Sequence, residues 1–350
     1  PVGGIDGTAG NGDEWFLYRF DTPNFPDYPK FGVWRDAYYM TTHEGTVSGL
    51  YAFDRPKMLA GDPATTVVRD TVTKPTEAND YRDTRILPAD LDGAAPPLGT
   101  PGYFVRTVDD NQDVFDSRDR IEVFETVPNF VAGTLSTTLV DDIDVGTGDL
   151  DPFDVMACDR NGDGVRDCIP QPDEVDTLDA LSNRPMMQLK YRHFDTHDSM
   201  VFNQTIDVSG SIPDSIPGLN PVNEVAGIRW YELRDFGAGW FIHNQGTYAP
   251  QPADATEDQL IHRWMGSMAM DRFGSIALGY NIVNADAANP IHPGISYTGR
   301  RYDDLPGLLP QVEQSILAGT NSQGGTGSRW GDYSAMTVDP VDDCTFWYTS

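Results

Sequence analysis

Residues 186–250 contain four strand-like runs in succession: MMQLKYRHF (186–194), SMVFNQTI (199–206), IRWYELR (228–234) and WFIHNQGTYAP (240–250). Each run is rich in aromatic and β-branched side chains, which favour strands. Turn-forming Gly, Asp, Asn and Pro lie between the runs. Four strands joined in this way predict a four-stranded antiparallel unit.

Similar runs continue along the rest of the chain: DAYYMTT, GLYAF, GYFVRTV, RIEVFETV, SMAM, SIALGY, GISYTG and CTFWYT. Helical periodicity is scarce, and LPQVEQSILAG fits either a short helix or an outer strand. The 34 glycines and 26 prolines also favour a turn-rich β protein. We therefore predict an all-β fold, a β-propeller of four-stranded antiparallel blades that fills residues 1–350 as a single domain. Five to seven blades fit, with six favoured; an irregular β-sandwich is the alternative.

A short pattern supports repetition of the units. W-x-D-x-x-x-M-T begins at Trp34 and again at Trp330, and a related Arg-Trp start occurs at Trp264. The pattern predicts equivalent positions in different blades, with each Trp packed between blades and each Asp in a turn. The last unit has only two clear strands, so we expect WFLYRF (15–20) to supply an outer strand that closes the ring.

The chain is strongly acidic, with 54 Asp and Glu against 24 Lys and Arg, a net charge of −30 and a pI near 4.2. This charge argues against binding to nucleic acid or to an anionic membrane surface. No run approaches the roughly 20 apolar residues that span a bilayer. We predict no nucleic-acid partner and no membrane insertion. The opening PVGGIDGTAGNGDE has no signal-like apolar core, so we expect a trimmed product.

The segment CDRNGDGVRDC (158–168) resembles a calcium-binding loop, because its oxygen donors fall at alternate positions and a glycine occupies the sharp turn. It departs from the helix-loop-helix pattern at position 12, where Pro170 replaces the bidentate Glu, so a closing carboxylate must come from elsewhere. We predict Ca²⁺ as the cofactor, held in an acidic insertion at 141–180; a solvated acidic turn is the alternative. The predicted ligands are Asp159, Asn161, Asp163, Val165 and Asp167.

Two cysteines, Cys158 and Cys168, bracket this loop, whereas Cys344 lies near the end of the chain. A local disulfide between the first two is the simplest interpretation, and it implies an oxidising compartment. Closing a loop of this size restricts the unfolded chain by about 3 kcal/mol. We assign no role to Cys344.

Several longer segments resemble a family of secreted bacterial β-propeller proteins related to the sialidase-like propellers. They are WFLYRFDTPNFPDYPKFGVWRDAYYMTT (15–42), LDALSNRPMMQLKYRHFDTHDSMVFNQTIDV (178–208), HRWMGSMAMDRFGSIALGYN (262–281) and SRWGDYSAMTVDPVDDCTFWYT (328–349). The resemblance spans most of the chain. It implies the fold and a secreted or cell-surface location, but little about chemistry, because most members of that family have no assigned activity.

A sialidase-like hydrolase requires an arginine cluster that binds a carboxylate, a Tyr nucleophile with a Glu, and an Asp acid on one face. Candidates for these roles are Arg229, Arg263, Arg300 and Arg329, Tyr231 or Tyr333 with Glu232, and Asp36 or Asp332. Alternation along the 228–234 strand puts Glu232 on the opposite face from Arg229 and Tyr231. The S-x-D-x-G-x-x-W turns of sialidases are also missing.

Other enzyme classes lack a starting motif, because HExxH, GxSxG, P-loop and GxGxxG patterns are absent. We therefore favour a secreted, calcium-stabilised binding or structural module with a glycan or protein partner at an axial face. A sialidase-like glycoside hydrolase and a scaffold subunit of a larger extracellular assembly are the alternatives. Enzymatic activity stays open, with its absence favoured; if the chain is an enzyme, we expect an exo-acting glycoside hydrolase.

Overall fold

The structure, a computed structural model, describes residues 15–73, 85–109, 118–146, 156, 168–172, 176–182, 184–211, 224–324 and 328–350. Strands account for 51% of the structure and helices for 4%, which confirms the all-β prediction. No helix in the described part of the chain is long and apolar enough to cross a membrane.

In the described residues, eighteen strands form five consecutive units. Unit 1 contains β1 (Asp27–Val33), β2 (Ala37–Glu44), β3 (Val47–Asp54) and β4 (Val67–Thr73), with helix α1 (Arg55–Leu59) before β4. Unit 2 contains β5 (Ile86–Asp92), β6 (Gly102–Val108), β7 (Arg120–Asn129) and β8 (Thr134–Asp144). Unit 3 contains β9 (Pro185–His193), β10 (Asp198–Asp207), β11 (Ala226–Asp235) and β12 (Trp240–Tyr248). Unit 4 contains β13 (His262–Met270), β14 (Ile276–Val283), β15 (Gly294–Arg300) and β16 (Gln314–Leu317), and unit 5 contains β17 (Ala335–Val338) and β18 (Phe346–Thr349).

The units are antiparallel meanders arranged around a common axis. Their first strands, β1, β5, β9, β13 and β17, contact one another in chain order, and β5 pairs in parallel with β9. The ring closes where Tyr28 of β1 meets Tyr333, just before β17, with ring centroids 5.4 Å apart. The first strands all begin at one end of this axis, which we call the axial end.

The strands near the axis are buried on both faces, because neighbouring units cover them. Every residue of β13 and β14 is buried, which explains their nearly continuous apolar character. The largest apolar cluster joins units 1, 2 and 3. Trp34 lies at its centre, with its ring 4.6 Å from that of Tyr191 and 6.0 Å from that of Tyr103. The core therefore lies between the units and fixes their order around the axis.

The four strands predicted in residues 186–250 are confirmed as β9 to β12. The alternative left open for LPQVEQSILAG is resolved as the outer strand β16. The blade number favoured from sequence, six, is not confirmed: the described residues form four four-stranded units and one hairpin.

The predicted ring closure by WFLYRF is wrong. Residues 16–20 form no strand and lie against unit 1 instead. The ring of Phe20 is 4.9 Å from that of Phe53, and the Tyr18 hydroxyl donates to the Met58 carbonyl at 3.0 Å. Apolar contact with the surface of unit 1 decides this placement.

The prediction that the two W-x-D copies occupy equivalent positions is also wrong. Trp34 follows β1 and lies in the turn that leads to β2, whereas Trp330 precedes β17. The two copies therefore lie at opposite ends of a first strand. The related Arg-Trp starts agree more closely, because Trp264 lies two positions after the start of β13 and Trp330 leads into β17. Each unit then turns at an Asp into its second strand.

Candidate functional site

Three basic side chains converge on one aromatic ring at the axial end. Lys30 Nζ lies 3.5 Å from the ring centroid of Tyr28, and the guanidinium carbons of Arg184 and Arg85 lie 4.7 Å and 5.1 Å from it. Lys30 Nζ is also 3.6 Å from the ring centroid of Tyr333, so the amine lies between two rings. All three basic side chains are buried. Buried positive charge requires nearby negative charge, and two carboxylates lie close to this cluster.

Carboxylates complete the group. Asp27 and Asp332 lie close enough to Lys30 to favour its charged form. The Asp332 carboxylate also pairs with Arg329, with Nη1 and Oδ2 3.2 Å apart. Arg329 is half-exposed and lies at the rim, where its Nε is 3.8 Å from Asp179 Oδ2. The axial end thus has a buried interior with basic side chains and a more exposed rim that carries both acidic and basic side chains.

The environment shifts the acid–base chemistry of this group. Burial, together with the positive charges of Arg184 and Arg85, lowers the pKa of Lys30 to about 7, although Asp332 and Asp27 oppose the shift. The Lys30 amine therefore exchanges its proton near neutral pH. Burial raises the pKa of Tyr333, and Asp332 adds to the effect. The Tyr333 hydroxyl is consequently neutral at physiological pH and can donate a hydrogen bond.

Backbone irregularities concentrate at the same end. Tyr28 has a φ of +52° and lies in a bulge of the β1–β2 pairing. Met265 has a φ of +50° and lies in a bulge of the β13–β14 pairing. A non-glycine residue in this region costs about 1–3 kcal/mol, and bulges are frequent beside active sites. Strain at two first strands around one axis makes this end a candidate functional site.

A small cleft of about 10 Å³, enough for about one water molecule, opens beside Tyr333. Its lining consists of small and flexible apolar residues together with one hydroxyl and the tyrosine: Met186, Met187, Met265, Gly266, Gly331, Tyr333 and Ser334. A Cβ atom at Gly266 would lie 2.6 Å from Asn203 Oδ1, and one at Gly331, where φ is +74°, would collide with Asn281. Glycine is therefore required where the chain passes closest to its neighbours under the cleft.

Of the candidates named from sequence, the structure brings Arg329, Asp332 and Tyr333 to the axial end. Asp36 lies elsewhere, in the β1–β2 turn at the other end of the first strand. The sequence repeat had suggested that Asp36 and Asp332 were equivalent, but they lie at opposite ends of first strands.

The remaining candidates form separate contacts within the sheets. On one face of β11, Arg229 Nε donates to the Tyr231 hydroxyl at 3.0 Å. On the other, the buried Glu232 pairs with Arg234 at 2.6 Å and lies 3.7 Å from Arg300. This is the split that strand alternation predicts. Glu232 aligns through β10 with Lys190, which places it about 20 Å along the strands from Arg184.

Arg263 forms an ion pair with Glu313 within unit 4. Its Nε and Nη2 donate to the two carboxylate oxygens of Glu313 at 2.8 and 3.2 Å, and the Tyr280 hydroxyl donates to the same carboxylate at 2.5 Å. Unit 1 contains a similar group, in which Arg69 and Tyr51 both contact the buried Glu44. The recurrence in two units indicates that such Arg–Glu–Tyr groups stabilise the sheets.

The predicted calcium ligands Asp159, Asn161, Asp163, Val165 and Asp167, together with Cys158, lie outside the described residues. Cys168 is described and buried. Within the described ranges, no group of three or more His, Cys, Asp or Glu side chains could hold a metal ion. The calcium loop and its disulfide therefore stay predictions.

Sequence reasoning missed the centre of the site, which consists of Lys30, Arg85 and Arg184. These residues lie within or directly before the first strands of units 1, 2 and 3. A usable signal was present: in a chain with a net charge of −30, basic residues recur beside proline-containing strand segments, in DYPK, RILP and RPMM.

No family model matches this chain, and no curated protein matches it by sequence. Solved structures match it weakly. The GH93 α-L-arabinofuranosidase of Fusarium graminearum, in complex with arabinobiose, gives a TM-score of 0.37 at 10% identity over 83% of this chain and 66% of that chain. An α-L-arabinofuranosidase from Lactobacillus brevis gives 0.39 at 14% identity over 92% of this chain and 82% of that chain. A thermostable family-43 glycoside hydrolase gives 0.29 at 9% identity over 87% of this chain and 78% of that chain.

This chain thus spans just under two thirds of the length of the F. graminearum enzyme. The matches give no support for a sialidase-like or secreted assignment. The prediction of a non-enzymatic binding or structural module is contradicted, since the matched proteins are glycoside hydrolases. If the chain is an enzyme, the sequence predicts a glycoside hydrolase, and the matched proteins belong to that class.

Proposed function

We propose that this protein is an exo-acting glycoside hydrolase that acts on an acidic saccharide at the axial end. The observation that supports the proposal is the convergence of Lys30, Arg85 and Arg184 on the ring of Tyr28. Three buried basic groups favour a substrate that carries negative charge, and a sugar carboxylate supplies it.

Each part of the site has a role in this proposal. Arg85 and Arg184 bind the sugar carboxylate, because planar guanidinium groups match carboxylate geometry. Tyr333 lies beside the cleft and donates a hydrogen bond to a sugar oxygen. Asp332 and Asp27 are the carboxylates available for proton transfer at the glycosidic bond, a step that most glycoside hydrolases perform with a pair of acidic residues.

We further propose that the five units are the blades of a propeller and that the 158–168 loop is a structural calcium site. The ring of first strands supports the first point, and the alternate oxygen donors of the loop support the second. A secreted or cell-surface location also stays a prediction. Under this proposal the partner at the axial face is a saccharide substrate.

The test is hydrolysis of chromogenic and fluorogenic glycosides. The panel contains 4-nitrophenyl β-D-glucuronide, 4-nitrophenyl β-D-galacturonide, 4-methylumbelliferyl sialoside and the neutral 4-nitrophenyl α-L-arabinofuranoside. We expect release from an acidic glycoside and none from the neutral one. Asp332→Asn should lower the rate about 10²–10⁴-fold, the usual contribution of a general acid or base.

Asp303→Asn is the matched control, because Asp303 is exposed on the loop after β15, at the other end of the sheets. Its activity should equal that of the wild type. Release from the arabinofuranoside alone, or full activity of Asp332→Asn, would contradict the proposal.

A further inference from the structure

We propose that Gln171 is a positioning residue that, through Gln323, holds the segment 328–333 in place at the axial end. The inference rests on the proposed function, because this segment carries Asp332 and Tyr333. It goes beyond that function by giving the acidic insertion a role in the reaction: the insertion sets the position of a reacting carboxylate that lies far from it in the sequence.

The segment 328–333 is not held by a sheet. It lies just before β17, and residues 318–324 and 328–334 form no helix or strand. One of its few contacts with the neighbouring sheet is the hydrogen bond from Asn281 Nδ2 to the Trp330 carbonyl, which is long at 3.4 Å. The position of this segment therefore depends on contacts that come from outside the strands.

The side-chain amide of Gln171 makes the most specific of these contacts. Gln171 is 3% exposed. Its Oε1 accepts from the Gln323 N–H at 2.7 Å, and its Nε2 donates to the carbonyls of Gln323 and Asp176 at 3.0 and 2.9 Å. One buried amide thus binds both backbone groups of a residue 152 positions away. Beside it, the Ser322 hydroxyl donates to the Pro172 carbonyl.

From Gln323 the contacts continue to the reacting carboxylate. Gln323 Nε2 donates to the Arg329 carbonyl at 3.1 Å, and the Asp179 N–H donates to the Ser328 carbonyl at 2.7 Å. Arg329 Nη1 in turn lies 3.2 Å from Asp332 Oδ2. The insertion therefore reaches the segment directly at Ser328 and indirectly, through Gln323, at Arg329.

The insertion is itself fixed, so it can act as a support. Ile169 and Leu178 are buried and exchange two backbone hydrogen bonds, at 3.0 and 2.8 Å. They belong to an apolar cluster that includes Met265, and Trp330 packs against the same cluster. Gln171 follows Ile169 by two positions, and its amide is consequently presented to Gln323 from a packed base.

Loss of the Gln171 amide should displace Asp332 but leave the basic cluster in place. Arg85 and Arg184 directly precede β5 and β9, which belong to units 2 and 3 and not to the segment that Gln323 contacts. We therefore expect substrate binding to persist while proton transfer becomes slower. A misplacement of about 1 Å can cost about 10²-fold in rate, so Gln171→Met should lower kcat about 10- to 100-fold and change KM by less than about threefold.

The chain offers a matched control in Gln251. Its Nε2 donates to the Ile261 carbonyl at 3.0 Å and its Oε1 accepts from the Ile261 N–H at 2.7 Å. This is the same two-bond geometry, but it holds the residue before β13. Gln251→Met should therefore lower the Tm about as much as Gln171→Met and keep the wild-type kcat.

A second readout needs no substrate. Protein labelled with 5-fluorotryptophan gives seven ¹⁹F signals, one for each tryptophan, and Trp330→Phe assigns the signal inside the segment. We expect Gln171→Met to shift or broaden the Trp330 signal and to leave that of the exposed Trp347 unchanged. Gln251→Met should leave both signals as they are in the wild type.

Gln323→Met provides a milder variant, because it removes only the side-chain bond to the Arg329 carbonyl from a half-buried position. It carries the test if Gln171→Met does not fold. Both changes act on the same series of contacts, so their effects on kcat should be less than additive in the double variant.

The outcomes separate this inference from the proposed function. If an acidic glycoside is hydrolysed and Gln171→Met leaves kcat or the Trp330 signal unchanged, the positioning role is wrong and the enzymatic proposal stands. Equal losses of kcat in Gln171→Met and Gln251→Met would also overturn the positioning role, because general destabilisation would then explain them. If the wild type hydrolyses no acidic glycoside, the proposed function fails and the inference fails with it.

Discussion

Replacing Arg184 with Met removes one of the two guanidinium groups that we propose for the sugar carboxylate and keeps an unbranched side chain of similar length. Arg184 is buried, and its guanidinium carbon lies 4.7 Å from the Tyr28 ring centroid. A hydrogen bond to a charged group contributes about 1.5–3 kcal/mol. At 1.36 kcal/mol per tenfold change, Arg184→Met should lower kcat/KM on an acidic glycoside about 10- to 150-fold.

The same change alters the neighbour. Among the charges that lower the pKa of Lys30, Arg184 is the largest. Its removal should therefore raise the Lys30 pKa above 7, which an NMR titration of protein labelled with ¹³C at lysine Cε measures. Arg184→Lys keeps the charge but lacks the bidentate geometry, so its loss of activity should be intermediate.

The assay is steady-state hydrolysis of the acidic glycoside, with thermal unfolding of each variant recorded in parallel. Arg301→Met is the control, because Arg301 is exposed on the loop after β15 and should retain full activity. Activity of Arg184→Met within twofold of the wild type, at an unchanged Lys30 pKa, would refute the assignment of Arg184 to the substrate site.

Further predictions concern stability. Although burial favours the neutral form of Glu44, hydrogen bonds from four side chains lower its pKa to about 2. The ionised Glu44 therefore contributes its full stabilisation above about pH 4.3, and this stabilisation is lost as the pH falls toward 2. Urea midpoints should decrease over that window for the wild type and less steeply for Glu44→Gln; equal slopes would contradict this. Trp34→Ala should lower the free energy of unfolding by about 3–5 kcal/mol, because Trp34 packs between units. Trp347 is exposed, so Trp347→Ala should change the free energy of unfolding by under about 0.5 kcal/mol. Similar losses for the two variants would contradict the placement of Trp34 in the core. Chelation of Ca²⁺ should lower the Tm if the 158–168 loop binds the ion, and an identical melting curve in excess calcium and in chelator would remove that site.

The units could be predicted from sequence where their strands carry a clear signal. β9 to β12 alternate or run apolar over nine or ten residues, so their existence and bounds follow from composition. β1 and β5 were missed because Pro29 and Pro88 interrupt them. Proline lacks the N–H group that a strand interior needs, and it lowers the expectation of a strand.

Because β1 and β5 were not predicted, the basic cluster that they position was not predicted either. Lys30 lies on β1, Arg85 directly precedes β5, and their meeting with Arg184 depends on how the units close around the axis. Residues so far apart in the chain share no local sequence pattern. Asp332 was found because it follows a recognisable Trp, but its supposed equivalence to Asp36 had no structural basis.

The most direct test of the central claim is a crystal structure of the protein with a non-hydrolysable thioglycoside of glucuronic acid. We expect the sugar at the axial end beside Tyr333, with its carboxylate within hydrogen-bond distance of Arg85 and Arg184. A sugar bound away from the axial end, or one whose carboxylate points to solvent while its neutral hydroxyls contact the arginines, would contradict the account.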